Sequence, residues 1–279
     1  MTTDPRLPVP IVDFHVHLFP DRMFDAIWKY FSKDYGWDVL YQYYHRETIK
    51  YLRDNGVGPI VYSNYAHRTG VARGLNEWNK EVLSEFDDLY CFAAFHPEDD
   101  DALDYAKAIV DHPNVLGFKL QLLVMPYYPW DERFFRLYDL VMEKGKRILF
   151  HVGNGPVGHE FVGVENFKKL LERYPDIPGN IAHMGALEYG AFYDLLDDHP
   201  DLYMDTSFVF CPEMSTGCDL PPEKLAAKQD RILYGSDFPN LIFRRESEIE
   251  QLLSFNLSEE FYRKVFRDNG LGLIEKKIS

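Results

Sequence analysis

Two histidines near the amino terminus are the residues of this chain best suited to binding a metal ion. His15 and His17 lie in the apolar stretch at residues 11–18, which prolines bound on both sides. Successive side chains alternate faces along a strand, so these two imidazoles point the same way, with Asp13 behind them. Paired imidazoles on a rigid strand are ready ligands for a divalent cation. The competing interpretation is a pair of core histidines with ordinary hydrogen-bond partners.

Further polar side chains recur at a fixed spacing along the chain. Lys119, His151 and His183 are 32 residues apart in turn, and Asp205 and Asp237 are also separated by 32. This spacing is close to one strand-plus-helix unit, so it places these residues at equivalent depths near the carboxyl ends of their strands. Each has an ordinary explanation alone, since His151 fits a core histidine and Asp237 fits a helix cap. One metal site is indicated by the histidine pair of the first strand together with Lys119, His151, His183 and Asp237.

Short apolar runs alternate with segments of helical periodicity, which predicts parallel strands joined by helices. The runs lie at residues 11–18, 58–63, 90–95, 115–120, 147–151, 180–183, 202–205 and 232–237. Amphipathic segments lie at residues 76–86, 101–110, 133–144 and 164–174. Eight such units predict an α/β fold, the (β/α)8 TIM barrel, with its active site at the carboxyl ends of the strands. An open doubly wound sheet is the alternative, which the lack of a glycine-rich loop after the first strand disfavours.

Helix signals mark the end of the chain. Ser258 and the two glutamates after it predict a helix start, and the helical pattern runs to Asp268. Asn269 and Gly270 then predict that this helix stops.

Composition limits the possible partners. The chain has 279 residues, of which 46% are hydrophobic, and a formal net charge of −15. This charge disfavours nucleic acid and anionic membranes as partners, because both require a basic surface. The sequence contains no run of roughly 18 apolar residues and no signal-peptide pattern at its start. Because it also has only three cysteines, we expect a soluble, cytoplasmic protein.

Two segments that follow strands are rich in aromatic residues. Residues 19–55 form a long aromatic insertion after the first strand, and residues 123–131 include Tyr127, Tyr128 and Trp130. Both are expected over the mouth of the barrel, where they would form a lid and a substrate wall. The alternatives are a homodimer surface and a satellite core beneath a long loop.

The motifs in combination resemble the amidohydrolase superfamily. They are Asp13-Phe-His15-Val-His17, Gly117-Phe-Lys119-Leu, Phe150-His151, Ala182-His183-Met-Gly and Tyr234-Gly-Ser-Asp237-Phe-Pro. The most similar branch is the amidohydrolase-related group of aminocarboxymuconate semialdehyde decarboxylase and related decarboxylases and hydrolases. The resemblance extends from Ile11 to Leu273 and implies a single amidohydrolase-like domain over residues 1–279. The ending that begins at Asn269 is similar to the family's Asn-Ala-x-x-Leu, with Gly270 as a departure.

The resemblance also implies a role for each polar residue. It implies one divalent metal ion, most simply Zn2+, bound by His15, His17, His151 and Asp237. Imidazoles and a carboxylate suit zinc, and an open coordination position would lower the pKa of a bound water to about 7. His183 would orient or protonate the substrate or act on that water, and Asp237 would take the water's proton.

Lys119 leaves the number of metal ions open. Some branches of the family carry a carboxylated lysine at this point that bridges two metals, whereas the decarboxylase-like branch has a mononuclear site. We expect one metal, with the Lys119 ammonium helping to bind a substrate carboxylate or lowering the charge near the metal. His67, Arg68 and Arg73, which follow the second strand, are further candidates for holding that carboxylate. Asp13 is expected to support the ligands from behind.

Two enzymatic functions and one binding function are compatible with these residues. The first is a metal-dependent hydrolase that uses a metal-activated water on a small carboxylated amide, ester or lactone. The alternative is a metal-dependent, non-oxidative carboxy-lyase that decarboxylates an unsaturated or aromatic acid. A catalytically silent binding protein is disfavoured, because the sequence retains every implied ligand. In each case the expected partner is a small, anionic molecule.

Overall fold

Eight parallel strands pair in chain order to form one sheet in the computed structural model, which describes residues 4–214 and 217–276. The fold is therefore a (β/α)8 TIM barrel, as the alternation of strands and helices predicted, and the doubly wound alternative is excluded. The sequence predictions for the extreme ends of the chain lie outside the described residues. The strands are β1 Ile11–His17, β2 Val57–Ser63, β3 Leu89–Ala94, β4 Val115–Gln121, β5 Arg147–His151, β6 Gly179–Ile181, β7 Leu202–Asp205 and β8 Ile232–Leu233.

Helices alternate with the strands and bury their apolar faces against them. In the sixth helix, for example, Phe167 and Leu170 are buried. In the described part of the chain, none of the helices has both the length and the apolar character that crossing a membrane requires. The helices are α1 Asp21–Tyr30, α2 His45–Asp54, α3 Ala72–Glu85, α4 Ala102–Val110, α5 Phe135–Glu143, α6 Val164–Arg173, α7 Tyr189–Leu195, α8 Pro222–Ala227, α9 Arg245–Ser254, α10 Glu259–Arg263 and α11 Asn269–Glu275.

The segment that follows β8 closes the barrel against β1. The backbone N–H of Asp237 donates to the carbonyl of His15 at 2.8 Å, and the N–H of His17 donates to the carbonyl of Phe238 at 2.8 Å. These bonds interleave the two segments at the carboxyl end of the sheet. The carboxylate of Asp237 is therefore placed beside the two histidines of β1.

Strands six and eight end earlier than the sequence predicted. β6 stops at Ile181 and β8 at Leu233. The residues expected to end these strands, His183 and Asp237, have φ angles of 54° and 61°. Such left-handed backbone is incompatible with an extended strand, so both residues lie in turns beyond the sheet.

The end of the chain differs from its prediction at one point. Ser258 caps α10 as expected, but the predicted helix stop at Asn269 and Gly270 was wrong, because both residues lie within α11. The Asn269 side chain donates to the carbonyl of Ile232 at 2.7 Å, so it ties the helix to the barrel. Gly270 lies where the helix passes closest to β1, since a Cβ there would be 2.8 Å from Cγ1 of Val12.

Candidate metal centre

Three of the predicted ligands converge at the mouth of the barrel. Oδ1 of Asp237 lies 3.0 Å from Nε2 of His17 and 3.3 Å from Nε2 of His15. Ligand atoms bonded to one zinc-like ion at about 2.0–2.2 Å lie roughly 3 Å or slightly more from one another. Two imidazoles and a carboxylate at these separations fit a single divalent cation.

His183 belongs to the same cluster. A ligand atom of His183 lies within 4.8 Å of ligand atoms on His15 and Asp237. Nδ1 of His183 is 2.9 Å from the carbonyl oxygen of Ser207, which can only accept a hydrogen bond. Nδ1 therefore carries the ring hydrogen, and Nε2 keeps a lone pair for a cation, a water or a substrate.

His151 lies beside this cluster but not within it. Its ring centroid is 4.6 Å from that of His183. Nε2 of His151 is 3.1 Å from the carbonyl of Gly155, and Nδ1 is 2.8 Å from the amide nitrogen of Gln121. Because both ring nitrogens have protein partners here, the role of His151 as a ligand stays a prediction.

Lys119 brings a positive charge to the base of the cluster. Its side chain is fully buried, and Nζ lies 3.2 Å from Nε2 of His15. Burial lowers the pKa of Lys119 to about 8, although Asp205 and Asp237 oppose that shift. Burial and the Lys119 charge together lower the pKa of His15 to about 4. His15 is therefore neutral at physiological pH, as a metal ligand must be.

The carboxylate of Asp237 is ionised. Burial alone would raise its pKa, but the charge and hydrogen bond of His17 outweigh burial. The nearby His15 and His183 act in the same direction and hold the pKa of Asp237 well below its usual range. An ionised carboxylate between two imidazoles can bind a cation or accept a proton.

Asp13 lies behind the ligands, as predicted, and holds the turn that carries Asp237. Its carboxylate accepts hydrogen bonds from the backbone N–H of Ser236 at 3.0 Å and from the Ser236 hydroxyl at 2.6 Å. Burial raises the pKa of Asp13 to about 6, against the opposing effects of Arg245 and these bonds. Asp13 thereby fixes the backbone immediately before the candidate ligand.

Three polar residues of the site were missed or left without a role by sequence reasoning. Asp205 accepts a hydrogen bond from Nδ1 of His15 at 2.9 Å. Burial alone would raise the pKa of the Asp205 carboxyl, but His15 outweighs burial and holds this pKa well below its usual range. Ser207 and Gln121 contact His183 and His151. The 32-residue spacing marks Asp205, but nothing in the sequence pattern singles out the other two.

The predicted carboxylate-binding residues after β2 are not part of the cluster. His67 and Arg68 are exposed, and Arg73 forms an ion pair with Asp101. Within the described ranges, none of the three makes a hydrogen bond or an ion pair with the histidines or with Asp237. Their role in substrate binding therefore stays a prediction without support from this structure.

Part of the aromatic insertion reaches the candidate site. Trp37 stacks on Phe208 with ring centroids 5.9 Å apart and planes inclined by 14°. Phe208 contacts His183 edge to face at 6.2 Å, and Tyr65 contacts His17 in the same way at 5.7 Å. These rings form an apolar wall beside the cluster.

Other rings of the aromatic segments pack away from the histidines. The ring centroids of Tyr41 and Tyr51 each lie 4.9 Å from that of Phe238. These rings form a small core behind the turn after β8. Tyr128 lies 4.9 Å from Phe161, so it joins the loops that follow β4 and β5. The insertion thus contributes both to the apolar wall beside the cluster and to a satellite core, and its roles in substrate binding and in a homodimer surface stay predictions.

A sequence model of the amidohydrolase family matches residues 12–271. The chain belongs to the amidohydrolase family. The resemblance inferred from the motifs is confirmed, and the protein is an enzyme of this family. No curated protein matches the chain by sequence.

Several solved structures have the same fold. A TIM-barrel protein from Bordetella bronchiseptica shares 16% identity at a TM-score of 0.74, over 96% of this chain and 99% of that one. The 5-carboxyvanillate decarboxylase of Novosphingobium aromaticivorans, in complex with manganese, shares 13% identity at a TM-score of 0.68, over 99% of both chains. A probable 2-pyrone-4,6-dicarboxylic acid hydrolase of Acinetobacter baumannii, with citric acid bound, shares 14% identity at a TM-score of 0.63, over 95% of this chain and 99% of that one. At these identities the likeness shows the fold.

Proposed function

We propose that this member of the amidohydrolase family is a divalent-cation-dependent hydrolase of a small carboxylated amide, ester or lactone. The observation that supports the proposal best is the pair of proton acceptors at the cluster, the Asp237 carboxylate and Nε2 of His183. Hydrolysis requires a base that removes a proton from the attacking water. Asp237 is ionised, and because the ring hydrogen of His183 lies on Nδ1, the neutral imidazole presents Nε2 as a proton acceptor.

The candidate ligands for the cation are His15, His17 and Asp237. Oδ1 of Asp237 lies 3.3 Å from Nε2 of His15 and 3.0 Å from Nε2 of His17. When bound, a divalent cation polarises a substrate carbonyl and lowers the pKa of water. Zinc suits this donor set, and the similar decarboxylase structure contains manganese. His183 is then placed to accept a proton from the attacking water and to return it to the leaving group.

A flat, anionic substrate fits the charge and the apolar wall of the cluster. Lys119 is buried at the base of the cluster, and its ammonium can pair with a substrate carboxylate. Trp37 and Phe208 present stacked rings beside His183, which suits a flat substrate. One similar structure is named as a hydrolase of 2-pyrone-4,6-dicarboxylic acid, a compound that is both flat and anionic.

The same wall favours a second candidate, the non-oxidative decarboxylation of an aromatic acid. In that reaction the bond to the carboxyl carbon breaks, carbon dioxide leaves, and a proton replaces it on the ring carbon. The Lys119 ammonium is a candidate proton donor for this step, since Nζ lies 3.2 Å from Nε2 of His15. Two of the similar structures are 5-carboxyvanillate decarboxylase and 2,6-dihydroxybenzoate decarboxylase.

Metal content of the purified protein tests the first part of the proposal. Mass spectrometry should find about one equivalent of zinc or manganese in the wild type and much less in His15→Ala. His199→Ala is the matched control, because this histidine lies at the opposite end of the barrel and contacts the Pro175 carbonyl. A wild type that takes up neither ion on reconstitution would refute cation dependence.

Isotope-labelled assays separate the two reactions. Oxygen-18 from labelled water should enter the product carboxylate when a lactone, amide or ester is hydrolysed. Carbon dioxide release, with uptake of solvent deuterium on the ring, would instead establish decarboxylation. His183→Gln should lower kcat by about 100- to 10,000-fold, as expected for loss of a general base. Undiminished turnover of a confirmed substrate by Asp237→Ala would contradict the proposed hydrolysis.

A further inference from the structure

Asp205 and Ser207, at the end of β7, contact both His15 and His183. We propose that they are positioning residues that fix both imidazoles in the tautomer with hydrogen on Nδ1, so that each Nε2 keeps its lone pair for the metal centre. The inference rests on the cation-binding part of the proposed function. Neither residue was assigned a role by the sequence motifs.

The Asp205 carboxylate is the anchor of this arrangement. It is buried, and Oδ2 lies 2.9 Å from Nδ1 of His15. Oδ1 accepts hydrogen bonds from the backbone N–H groups of His183 at 3.0 Å and Ser207 at 3.3 Å, and from the Ser207 hydroxyl. A carboxylate that receives these bonds acts as an acceptor, so Nδ1 of His15 is the donor in their contact.

The Ser207 hydroxyl joins the two imidazoles. Oγ lies 3.1 Å from Nδ1 of His15 and 2.9 Å from Nδ1 of His183. The single hydroxyl hydrogen points to Asp205, so Oγ accepts from both ring nitrogens. The Ser207 carbonyl, 2.9 Å from Nδ1 of His183, is a second acceptor for the same hydrogen. In the opposite tautomer of His183, the lone pair of Nδ1 would face a lone pair of the Ser207 carbonyl oxygen, and the contact would be repulsive.

Lys119 favours the same tautomer of His15 from the other side. Its ammonium has only hydrogens to offer, and Nζ lies 3.2 Å from Nε2 of His15. Nε2 is the acceptor in this contact, which places the hydrogen on Nδ1. Oδ1 of Asp237 lies 3.3 Å from the same nitrogen and would accept a hydrogen from it in the other tautomer, so the balance depends on Asp205.

Asp205 and Ser207 therefore hold both His15 and His183 in place. A carboxylate that accepts from the far nitrogen of a ligating histidine orients the ring and makes the other nitrogen more basic. Here one carboxylate supports the His15 ring and the His183 backbone, and one hydroxyl contacts both rings. Loss of Asp205 should therefore affect His15 and His183 together.

The first test reads the tautomers directly in metal-free, nitrogen-15-labelled protein. Two-bond proton–nitrogen spectra distinguish protonated from unprotonated ring nitrogens, and His15→Gln and His183→Gln assign the signals. We expect hydrogen on Nδ1 of both residues in the wild type. Hydrogen on Nε2 of either ring would overturn the inference. Because no metal or substrate is present, this result does not depend on the proposed function.

The second test compares variants of the β7 end. Asp205→Asn should give a mixture of His15 tautomers and bind Mn2+ about 10- to 100-fold more weakly by calorimetry, the usual effect of losing such a support. The Mn2+ affinity of Ser207→Ala should lie between those of Asp205→Asn and the wild type. Thr206→Val is the matched control, because the Thr206 hydroxyl contacts Gly235 rather than a histidine.

The outcomes of this comparison differ clearly. An unchanged His15 tautomer and unchanged Mn2+ affinity in Asp205→Asn would overturn the positioning role. Equal loss of affinity in Asp205→Asn and Thr206→Val would also overturn it, because the effect would then be general loosening of the turn. If Asp205→Asn does not fold, the wild-type spectra and Ser207→Ala still decide the question.

Discussion

Replacing Gly270 by alanine introduces the residue of the similar family ending, yet we expect it to give no gain in stability. Gly270 lies in α11, where a Cβ would be 2.8 Å from Cγ1 of Val12 and 3.2 Å from Cδ2 of Phe14. Both neighbours are buried on β1, so neither can move freely away. Gly272 lies in the same helix and has no atom within 4 Å of the equivalent position. Gly272→Ala is therefore a matched control.

The expected size of the effect follows from two opposing contributions. Alanine stabilises a helix interior relative to glycine by about 0.5–1 kcal/mol, and Gly272→Ala should show this gain. Gly270→Ala has the same gain, but the added methyl group overpacks the contact with β1 at a cost of about 1–3 kcal/mol. The two variants should therefore differ in free energy of unfolding by about 1–3 kcal/mol, with Gly270→Ala the less stable.

Urea unfolding of metal-free protein, followed by circular dichroism and tryptophan fluorescence, measures this difference. The midpoint should rise for Gly272→Ala, whereas for Gly270→Ala it should stay level or fall. Equal stabilisation by both substitutions would refute the reasoning, because it would mean that α11 leaves room for a methyl group against Val12. A change in the urea dependence itself would indicate an altered unfolded state instead.

Three further predictions concern the charge, the wall and a buried carboxyl near the site. Lys119→Met should lower kcat/KM for a carboxylated substrate by about 10- to 100-fold, because it removes a charged hydrogen-bond donor; calorimetry should show cation affinity unchanged or increased. Phe208→Ala should raise KM by about 2- to 10-fold with the cation retained, since it removes the ring that stacks on Trp37; an unchanged KM would contradict the substrate wall. Burial raises the pKa of Glu248 well above its usual value of 4.5, so the unfolded chain releases this proton at lower pH than the folded protein. Protonated Glu248 therefore contributes its full share of stability below the unfolded pKa, and this share is lost as pH rises toward the folded pKa. Glu248→Gln should therefore gain stability relative to the wild type between pH 5 and 8, by at most about 1.4 kcal/mol per pH unit in urea unfolding; a difference independent of pH would contradict this.

The barrel could be predicted from the sequence because its strands are buried on both faces. Such strands form continuous apolar runs, and these recur here with helical segments between them. The prediction failed at Asn269 and Gly270, where a local helix-stop signal was overridden by tertiary contacts. Gly270 allows α11 to approach β1 closely. A local pattern cannot distinguish a glycine required for close packing from a glycine that ends a helix.

The candidate site was predictable only where side chains leave the ends of strands. His15, His17 and Lys119 lie on strands whose direction is fixed by the sheet, so their convergence follows from the fold. His67 and Arg68 follow a strand too, but the turn after β2 carries them to the exposed surface. Side chains in turns take their directions from tertiary contacts, which is why sequence adjacency to a strand was not enough there.

The turns after β6, β7 and β8 show how the site departs from regular structure. His183, Phe208 and Asp237 have φ angles of 54°, 61° and 61°, in the left-handed region where glycine would be unstrained. Such backbone costs on the order of 1–3 kcal/mol per residue and persists only where surrounding contacts fix it. The N–H of His183 is held by Asp205 at 3.0 Å, and the N–H of Asp237 by the His15 carbonyl at 2.8 Å. The groups that contact the candidate ligands therefore also hold the strained turns. Glycine at these positions would relieve the backbone strain, but it would also remove the side chains that form the candidate site. The strain is therefore explained by the need for these side chains at the mouth of the barrel.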